Sequence, residues 1–150
     1  MLSANQGHRA SVERVREGVT VYEAVGGEPY FTALVKRFYR EVAADDLLRP
    51  MYPRDLSGAE ERLRLFLMQY WGGPTTYSDE RGHPRLRMRH NPYRVGLAAR
   101  DAWLRCMITA LEADPPAEPM RSAMLEYFVR SADFMRNTEA VSYTHLTLPT

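Results

Sequence analysis

Glycine and proline divide this chain into short segments, and the apolar residues between these breaks recur at helical spacing. Val25-Gly26-Gly27 and Gly72-Gly73-Pro74 both carry residues that end helices, and Asn91-Pro92 and Pro115-Pro116 interrupt the chain further on. No segment alternates apolar and polar residues with a period of two, so we predict no sheet. The fold class that this pattern predicts is all-α.

The first half of the chain predicts two substantial helices. Glu28-Pro29 begins one of them, because proline is tolerated in a first helical turn. Ser57 is predicted to cap the other, with Glu60 three residues later completing a capping box, and Asp45 or Asp46 to cap a brief turn between them. The predicted apolar faces are Phe31, Leu34, Val35, Phe38, Tyr39 and Val42 in the first helix, and Ala59, Leu63, Phe66, Leu67 and Tyr70 in the second.

The second half predicts a loop followed by further helices. Thr75–Pro84 has the composition of a polar loop, and Arg85–His90 is predicted to form a short helix that ends before Asn91-Pro92. Leu97–Leu111 is amphipathic, and a last helix follows the prolines at 115, 116 and 119. The apolar residues of these two helices include Ala99, Trp103, Cys106 and Ala110 in the first, and Met120, Met124, Tyr127 and Phe128 in the second.

The length of 150 residues predicts one domain. We expect residues 1–19 to be an N-terminal extension, residues 20–136 the domain, and residues 137–150 an atypical tail. The final segment, VSYTHLTLPT, carries no formal charge and resembles a translated cloning linker, so it is excluded from the fold prediction.

Composition excludes several classes of function. The formal net charge of +1 gives no electrostatic signal for nucleic acid or for a membrane surface, and no apolar run reaches membrane-spanning length. Cys106 is the single cysteine, so an internal disulfide is impossible and a reducing compartment is predicted. We therefore expect a cytoplasmic protein without nucleic-acid or membrane partners.

His90 is a candidate axial ligand of a haem iron. It ends a short basic and apolar run two residues before Pro92. Near a helix end, a backbone carbonyl can accept the proton of one imidazole nitrogen while the other nitrogen binds the metal. Taken alone, a histidine in this position is more often an ordinary helix-end residue. The absence of a C-x-x-C-H motif means that such a haem would be held without thioether bonds.

A diatomic ligand on the opposite side of a haem needs hydrogen-bond donors in an apolar pocket. Tyr39, Tyr52 and Trp103 can supply them, because a phenol O–H or an indole N–H sits on an otherwise apolar ring. Each of these residues could also be an ordinary core or helix-edge aromatic. The apolar walls that such a pocket needs are available from Phe38, Leu63, Phe66 and Met107.

Taken together, these segments resemble the truncated haemoglobins, and within them the second group, whose fold is a two-over-two helical sandwich. The resemblance covers roughly residues 20–135. It rests on separated motifs in a fixed order: Val25-Gly26-Gly27, Arg37-Phe38-Tyr39, Met51-Tyr52-Pro53, Gly58-Ala59-Glu60-Glu61-Arg62-Leu63, Tyr70-Trp71-Gly72-Gly73-Pro74, Met88-Arg89-His90 and Asp101-Ala102-Trp103-Leu104.

The resemblance implies a role for each matching position. His90 corresponds to the proximal iron ligand of haem b, and Ala59 takes the place of the distal histidine of many globins. The distal ligand-stabilising residues implied are Tyr39, Tyr52 and Trp103. Leu63 corresponds to the apolar residue above the haem ring, and Arg62 and Arg89 lie where basic groups could meet the propionates. Phe38, Phe66 and Met107 join them as cofactor-binding candidates because of the apolar walls that they offer.

The function implied is reversible binding of dioxygen and other diatomic ligands at a five-coordinate iron. Several donors should slow ligand escape, because each net hydrogen bond contributes about 1 kcal/mol. Slow release suits chemistry or sensing better than oxygen transport. Nitric oxide dioxygenation and peroxide reduction are the candidate reactions, and both would need an external reductase because the chain carries no flavin or nicotinamide motif.

Two alternatives remain open at the level of sequence. One is an oxygen or ligand sensor, or a scavenger, without turnover. The other is a haem-free module whose helices serve only for protein interaction. The oligomeric state is also left open, with a homodimer as one candidate.

Overall fold

The computed structural model describes residues 18–81 and 96–141, and these are organised as helices. Within those ranges α2 packs against both α3 and α5, and α5 packs against α6. The pairs α2/α3 and α5/α6 form two layers, so the predictions of an all-α fold and of a two-over-two sandwich are confirmed. The elements are α1 (Val21–Ala24), α2 (Glu28–Ala43), a 3₁₀ helix (Arg49–Met51), α3 (Ser57–Tyr70), α4 (Thr76–Arg81), α5 (Leu97–Ala113) and α6 (Met120–Val141).

The break between α1 and α2 lies where the sequence predicts it. Gly27, with φ of +71°, directly precedes α2, and Pro29 lies in the first turn of that helix. The start of α1 carries a capping box that the sequence pattern did not reveal. Glu23 N–H donates to Thr20 Oγ1 at 3.2 Å, and Thr20 N–H donates to Glu23 Oε1 at 3.3 Å.

α2 is the central helix of the fold. All six residues of its predicted apolar face are buried. On its other side, Arg37 Nε donates a hydrogen bond of 2.8 Å to the carbonyl of Ala110 in the last turn of α5. The carbonyl groups in the last turn of a helix have no N–H partner within the helix, and Ala110 contributes one of them. A positive charge is also favourable at the C-terminal end of a helix. Arg37 therefore links α2 to the C-terminal end of α5.

The capping box predicted at Ser57 is wrong. Ser57 is the first residue of α3, and Leu56 occupies the capping position without a side-chain bond. Both the N–H and the hydroxyl of Ser57 donate to Asp55 Oδ1, at 3.0 and 2.8 Å. Asp55 therefore takes the Ser57 N–H that the Glu60 side chain would accept in a capping box, and Glu60 N–H donates to the Leu56 carbonyl at 2.9 Å. The Glu60 side chain instead forms an ion pair with α2, with 3.5 Å between Glu60 Oε1 and Lys36 Nζ.

The buried face of α3 is wider than predicted because this helix contacts α2 and α4. Ala59, Leu63 and Leu67 are buried as expected, whereas Phe66 is half-buried and Tyr70 is exposed. Leu65 and Met68 are buried in addition.

The polar loop predicted at Thr75–Pro84 is also wrong for its first part, which forms α4. Tyr77 is 2% exposed, and its ring packs edge to face on Phe66 with centroids 5.3 Å apart. Gln69 fixes the helix through its amide, which accepts from Ser78 N–H at 3.0 Å and donates to Ser78 Oγ at 2.6 Å. A helix of six residues with one large apolar side chain has no visible hydrophobic period.

The predicted end of α3 at Gly72-Gly73-Pro74 is confirmed. Gly72 has φ of +100°, and a Cβ on it would lie 2.8 Å from Thr20 Cβ. A Cβ on Gly73 would lie 2.7 Å from Tyr22 Cδ1. Tyr22 N–H donates to the Trp71 carbonyl at 2.9 Å. The paired glycines therefore let α1 lie directly against the end of α3.

α5 and α6 confirm the remaining described predictions. Ala99, Trp103, Cys106 and Ala110 are buried on α5. On α6, Met120, Met124 and Phe128 are buried, and Tyr127 is half-buried. The helix predicted at Arg85–His90, most of the N-terminal extension and the final residues 142–150 lie outside the described residues. Within the described ranges, no helix is both long enough and apolar enough to cross a bilayer.

Candidate functional site

The structure brings Tyr39, Tyr52 and Trp103 into one aromatic cluster. Tyr39 lies on α2, Tyr52 follows the 3₁₀ helix and Trp103 lies on α5. The rings of Tyr39 and Tyr52 meet edge to face at 5.6 Å between centroids. Phe38 joins the other pair, because its ring lies 4.8 Å from that of Tyr39 and 5.7 Å from that of Trp103. The three sequence-predicted donors thus share one part of the core.

Their polar atoms have no hydrogen-bond partner within the described part of the protein. Tyr39 Oη, Tyr52 Oη and Trp103 Nε1 are all buried, and each lacks an acceptor. A buried donor without an acceptor costs about 1–3 kcal/mol, so native proteins rarely leave one unpaired without a functional reason. Three unpaired donors in one cluster are what a pocket for a small ligand would contain, because the lone pairs of the ligand can accept their hydrogen bonds.

Burial keeps both phenols protonated. The pKa of Tyr39 is raised above its ordinary value mainly by burial, and the nearby charge of Arg62 opposes that rise. The pKa of Tyr52 is raised well above its ordinary value, again mainly by burial, with Tyr39 and Cys106 adding to the effect. Both hydroxyls are therefore neutral donors at physiological pH.

The predicted wall residues fall into two groups. Phe38, Ala59, Leu63 and Met107 are buried in the same core as the three donors. Phe66 is only partly buried, and its ring contacts are with Tyr70 and Tyr77, at 6.4 and 5.3 Å, rather than with the donor cluster.

The predicted charged and metal-binding residues are only partly described. Arg62 is half-buried on α3, and its charge acts on the Tyr39 hydroxyl. Arg89 and His90 lie outside the described residues. In residues 18–81 and 96–141, no group of three or more histidine, cysteine, aspartate or glutamate side chains could hold a bare metal ion.

Two charged residues around Tyr52 were not singled out as site residues from the sequence. Asp45 Oδ1 accepts from the N–H groups of Leu47 and Leu48 at 3.0 and 2.9 Å, which confirms the predicted cap at Asp45 or Asp46. Its second oxygen pairs with Arg105 of α5. Arg49 binds backbone carbonyls on the segment that follows the 3₁₀ helix. No sequence signal marks the Arg49 contacts, because their acceptors are main-chain atoms.

Comparison with known proteins identifies the family. The model of the bacterial-like globins matches residues 20–137. The chain belongs to the bacterial-like globin family. It is 45% identical over 91 residues to the group 2 truncated haemoglobin YjbI of Bacillus subtilis, and the match covers 61% of this chain and 68% of that one.

Solved structures agree with this assignment. A thermostable haemoglobin from the actinobacterium Thermobifida fusca is 53% identical, with a TM-score of 0.73 and coverage of 88% of this chain and all of that one. The group II truncated haemoglobin of Bacillus anthracis is 37% identical, with a TM-score of 0.73 and coverage of 79% and 96%. The resemblance to group II truncated haemoglobins is therefore confirmed.

Membership in this family also confirms the cofactor. Truncated haemoglobins bind haem with iron, so this chain is a haem-binding globin that binds oxygen. The three partnerless donors fit that cofactor, because a diatomic ligand beside the haem would provide the missing acceptor atoms. The haem-free interaction module is thereby excluded.

Proposed function

We propose that this globin holds diatomic ligands such as dioxygen tightly and carries out redox chemistry on the ligand bound in its pocket, either nitric oxide dioxygenation on dioxygen or the reduction of hydrogen peroxide. The observation that carries the proposal is the set of three buried donors without acceptors, Tyr39 Oη, Tyr52 Oη and Trp103 Nε1. A pocket adapted to rapid delivery of oxygen gains nothing from so many donors, because each one slows release.

When bound, the haem supplies the iron at which a diatomic ligand binds. We assign His90 as the protein ligand of that iron, and Arg62 and Arg89 as partners of the propionates. The resemblance of Met88-Arg89-His90 to the motif expected in group II truncated haemoglobins supports the first assignment. The half-buried position of Arg62 on α3 supports its part in the second.

The pocket residues of this chain act by holding donors in place before the ligand arrives. Trp103 N–H and the hydroxyls of Tyr39 and Tyr52 lie on three separate elements, so they can approach a ligand from different directions. Donors fixed in advance need no reorganisation when negative charge develops on the ligand. The buried side chains of Leu63 and Met107 exclude water, which would otherwise compete for the same hydrogen bonds.

The proposed reactions balance only with an external electron source. In nitric oxide dioxygenation, one nitric oxide, one dioxygen and one electron give one nitrate ion. In peroxide reduction, one hydrogen peroxide takes two electrons and two protons to give two waters. We propose that a separate reductase in the cytoplasm restores these electrons, because the chain carries no flavin or nicotinamide motif.

Stopped-flow mixing of the oxygenated ferrous protein with nitric oxide tests the proposal. We expect rapid oxidation of the haem and one nitrate per nitric oxide consumed, and repeated turnover when a reductase system is present. A parallel assay measures the consumption of hydrogen peroxide with the same electron source. If neither reaction proceeds faster than with free haemin, the alternative of a ligand sensor or scavenger replaces the proposal.

A further inference from the structure

Tyr52 caps the end of the 3₁₀ helix, and the segment that follows it has no regular structure. The Tyr52 backbone is extended, with φ of −118° and ψ of 156°, and the three residues that follow, Pro53, Arg54 and Asp55, are exposed. Its side chain is nevertheless only 9% exposed, and its hydroxyl is buried next to Tyr39. The backbone after Tyr52 is held by side-chain contacts rather than by a helix or strand.

The guanidinium of Arg49 provides that contact. Its Nη1 donates to the carbonyl of Pro53 at 3.0 Å and to that of Tyr52 at 3.5 Å, and its Nη2 donates to the carbonyl of Arg54 at 2.7 Å. In the opposite direction, Tyr52 N–H donates to the Arg49 carbonyl at 3.2 Å. One side chain thus binds three consecutive carbonyls through the planar, multiple-donor guanidinium group.

The residues just before Arg49 are themselves held in place. Leu48, its neighbour, is completely buried, and Leu48 N–H donates to Asp45 Oδ1 at 2.9 Å. Asp45 also pairs with Arg105 on α5, two residues from Trp103. The segment that carries Tyr52 is therefore held at its start by Asp45 and after Tyr52 by Arg49.

We propose that Arg49 is a positioning residue for the ligand-binding pocket, acting through the Tyr52 hydroxyl. Its guanidinium acts on the backbone on which the donor depends. Donors in a functional site must be held to within about half an ångström of the productive geometry, and a loop holds them less precisely than a helix or strand unless side-chain contacts support it. The inference rests on the proposed function, since it requires that Tyr52 donates to the ligand.

The test uses the haem-loaded full chain in its ferrous carbonmonoxy form. The stretching frequency of the carbon monoxide, measured by infrared spectroscopy, responds to a hydrogen bond on the ligand. Tyr52→Phe should shift this band, and Arg49→Met should produce part of the same shift together with faster dioxygen dissociation. Arg54→Met is the matched control, because it removes an exposed arginine of the same segment and should leave both readouts unchanged.

The double variant Arg49→Met/Tyr52→Phe decides whether Arg49 acts through Tyr52. We expect its band to coincide with that of Tyr52→Phe alone. A further shift in the double variant, or no shift in Arg49→Met where Tyr52→Phe shifts the band, overturns the role of Arg49. If Tyr52→Phe itself leaves the band unchanged, the proposed donor role of Tyr52 fails and the inference fails with it.

A structural readout separates positioning from loss of the fold. Exchange of the Tyr52 amide hydrogen, which is bonded to the Arg49 carbonyl, should accelerate several-fold in Arg49→Met and not in Arg54→Met, while exchange in α2 and α5 stays unchanged. Unchanged exchange at Tyr52 overturns the inference. If Arg49→Met fails to fold, Arg49→Lys replaces it, since an ammonium keeps the charge but cannot span three carbonyls, and it should give an intermediate shift of the band.

Discussion

The ring of Tyr39 meets the ring of Tyr52 edge to face, with 5.6 Å between centroids, and neither hydroxyl has an acceptor within the described residues. One ring comes from the central helix α2 and the other from a connecting segment, and Trp103 adds a third donor from α5. A pocket assembled from three elements can lose one donor while the other two stay in place. Each donor can therefore be tested by a single substitution.

Trp103→Phe should speed dioxygen dissociation by about tenfold, because it removes an indole N–H and keeps an aromatic ring in the core. The measurement is stopped-flow displacement of dioxygen by carbon monoxide. Trp71→Phe is the matched control. Trp71 Nε1 is also buried without an acceptor in the described part of the chain. Its ring, however, packs on Tyr70 and Tyr127 rather than beside Tyr39 and Tyr52. Equal dissociation rates in Trp103→Phe and in the parent protein would make Trp103 a plain core residue.

Tyr39→Phe should stabilise the ligand-free protein while it weakens ligand retention. Removing a buried hydroxyl without a partner relieves an uncompensated desolvation cost, so we expect the free energy of unfolding to rise by about 1 kcal/mol. Urea unfolding and dioxygen dissociation, measured on the same variant, should show a more stable fold and a faster loss of ligand.

The control for that prediction is Tyr127→Phe. The hydroxyl of Tyr127 is also buried, but it has a hydrogen-bond partner in Ser131. Removing it should lower the free energy of unfolding and leave dioxygen dissociation unchanged. If Tyr39→Phe lowers stability as Tyr127→Phe does, the Tyr39 hydroxyl has an acceptor within the protein itself.

The two pocket phenols predict an alkaline limit to stability. Burial raises the pKa of Tyr39 and of Tyr52 above the ordinary tyrosine value of about 10. Above pH 10 the unfolded chain loses these protons while the folded chain keeps them, so the unfolded state binds fewer protons and stability falls as pH rises. Urea titrations from pH 8 to 11 measure how the free energy of unfolding changes with pH. The fall should be less steep in the Tyr39→Phe/Tyr52→Phe variant than in the parent protein. An equally steep fall in both proteins would contradict burial of the phenols.

The sequence predicts those parts of the fold whose signal is repeated along a helix. The face of α2 is predicted in full because its residues repeat over more than three turns, whereas α4 is missed because Tyr77 is its single large apolar residue. At Ser57 the pattern was present but Asp55, two residues earlier, competes for the same N–H group, and that competition depends on geometry.

The same distinction holds for the candidate site. Tyr39, Tyr52 and Trp103 could be named from side-chain chemistry and from the resemblance to truncated haemoglobins, and the structure brings them together. Arg49 could not be named, because it binds carbonyl groups that every residue carries. The widened face of α3 depends on packing against α4, which the sequence did not predict.

Gly72→Ala should destabilise the fold by about 1–3 kcal/mol, because it places a side chain at positive φ and drives its Cβ into Thr20. Gly18→Ala separates these two causes. Gly18 has φ of +83°, but a Cβ on it would meet no described atom within 4 Å, so it carries the backbone cost alone. Thermal unfolding should therefore show a larger loss of stability for Gly72→Ala than for Gly18→Ala. Equal losses would mean that the close approach of Thr20 to Gly72 does not contribute.

His90→Ala should abolish the five-coordinate ferrous spectrum, since the proposed iron ligand is removed. His83→Ala is the control, because His83, in Gly82-His83-Pro84, belongs to the predicted polar loop and is assigned no ligand role. Both variants are compared by optical spectroscopy after reduction, with and without carbon monoxide. Added imidazole should restore a low-spin or five-coordinate spectrum to His90→Ala alone, because the free base can occupy the space that the side chain leaves. A parent-like spectrum in His90→Ala, or a loss of the spectrum in His83→Ala instead, would move the iron ligand to another residue.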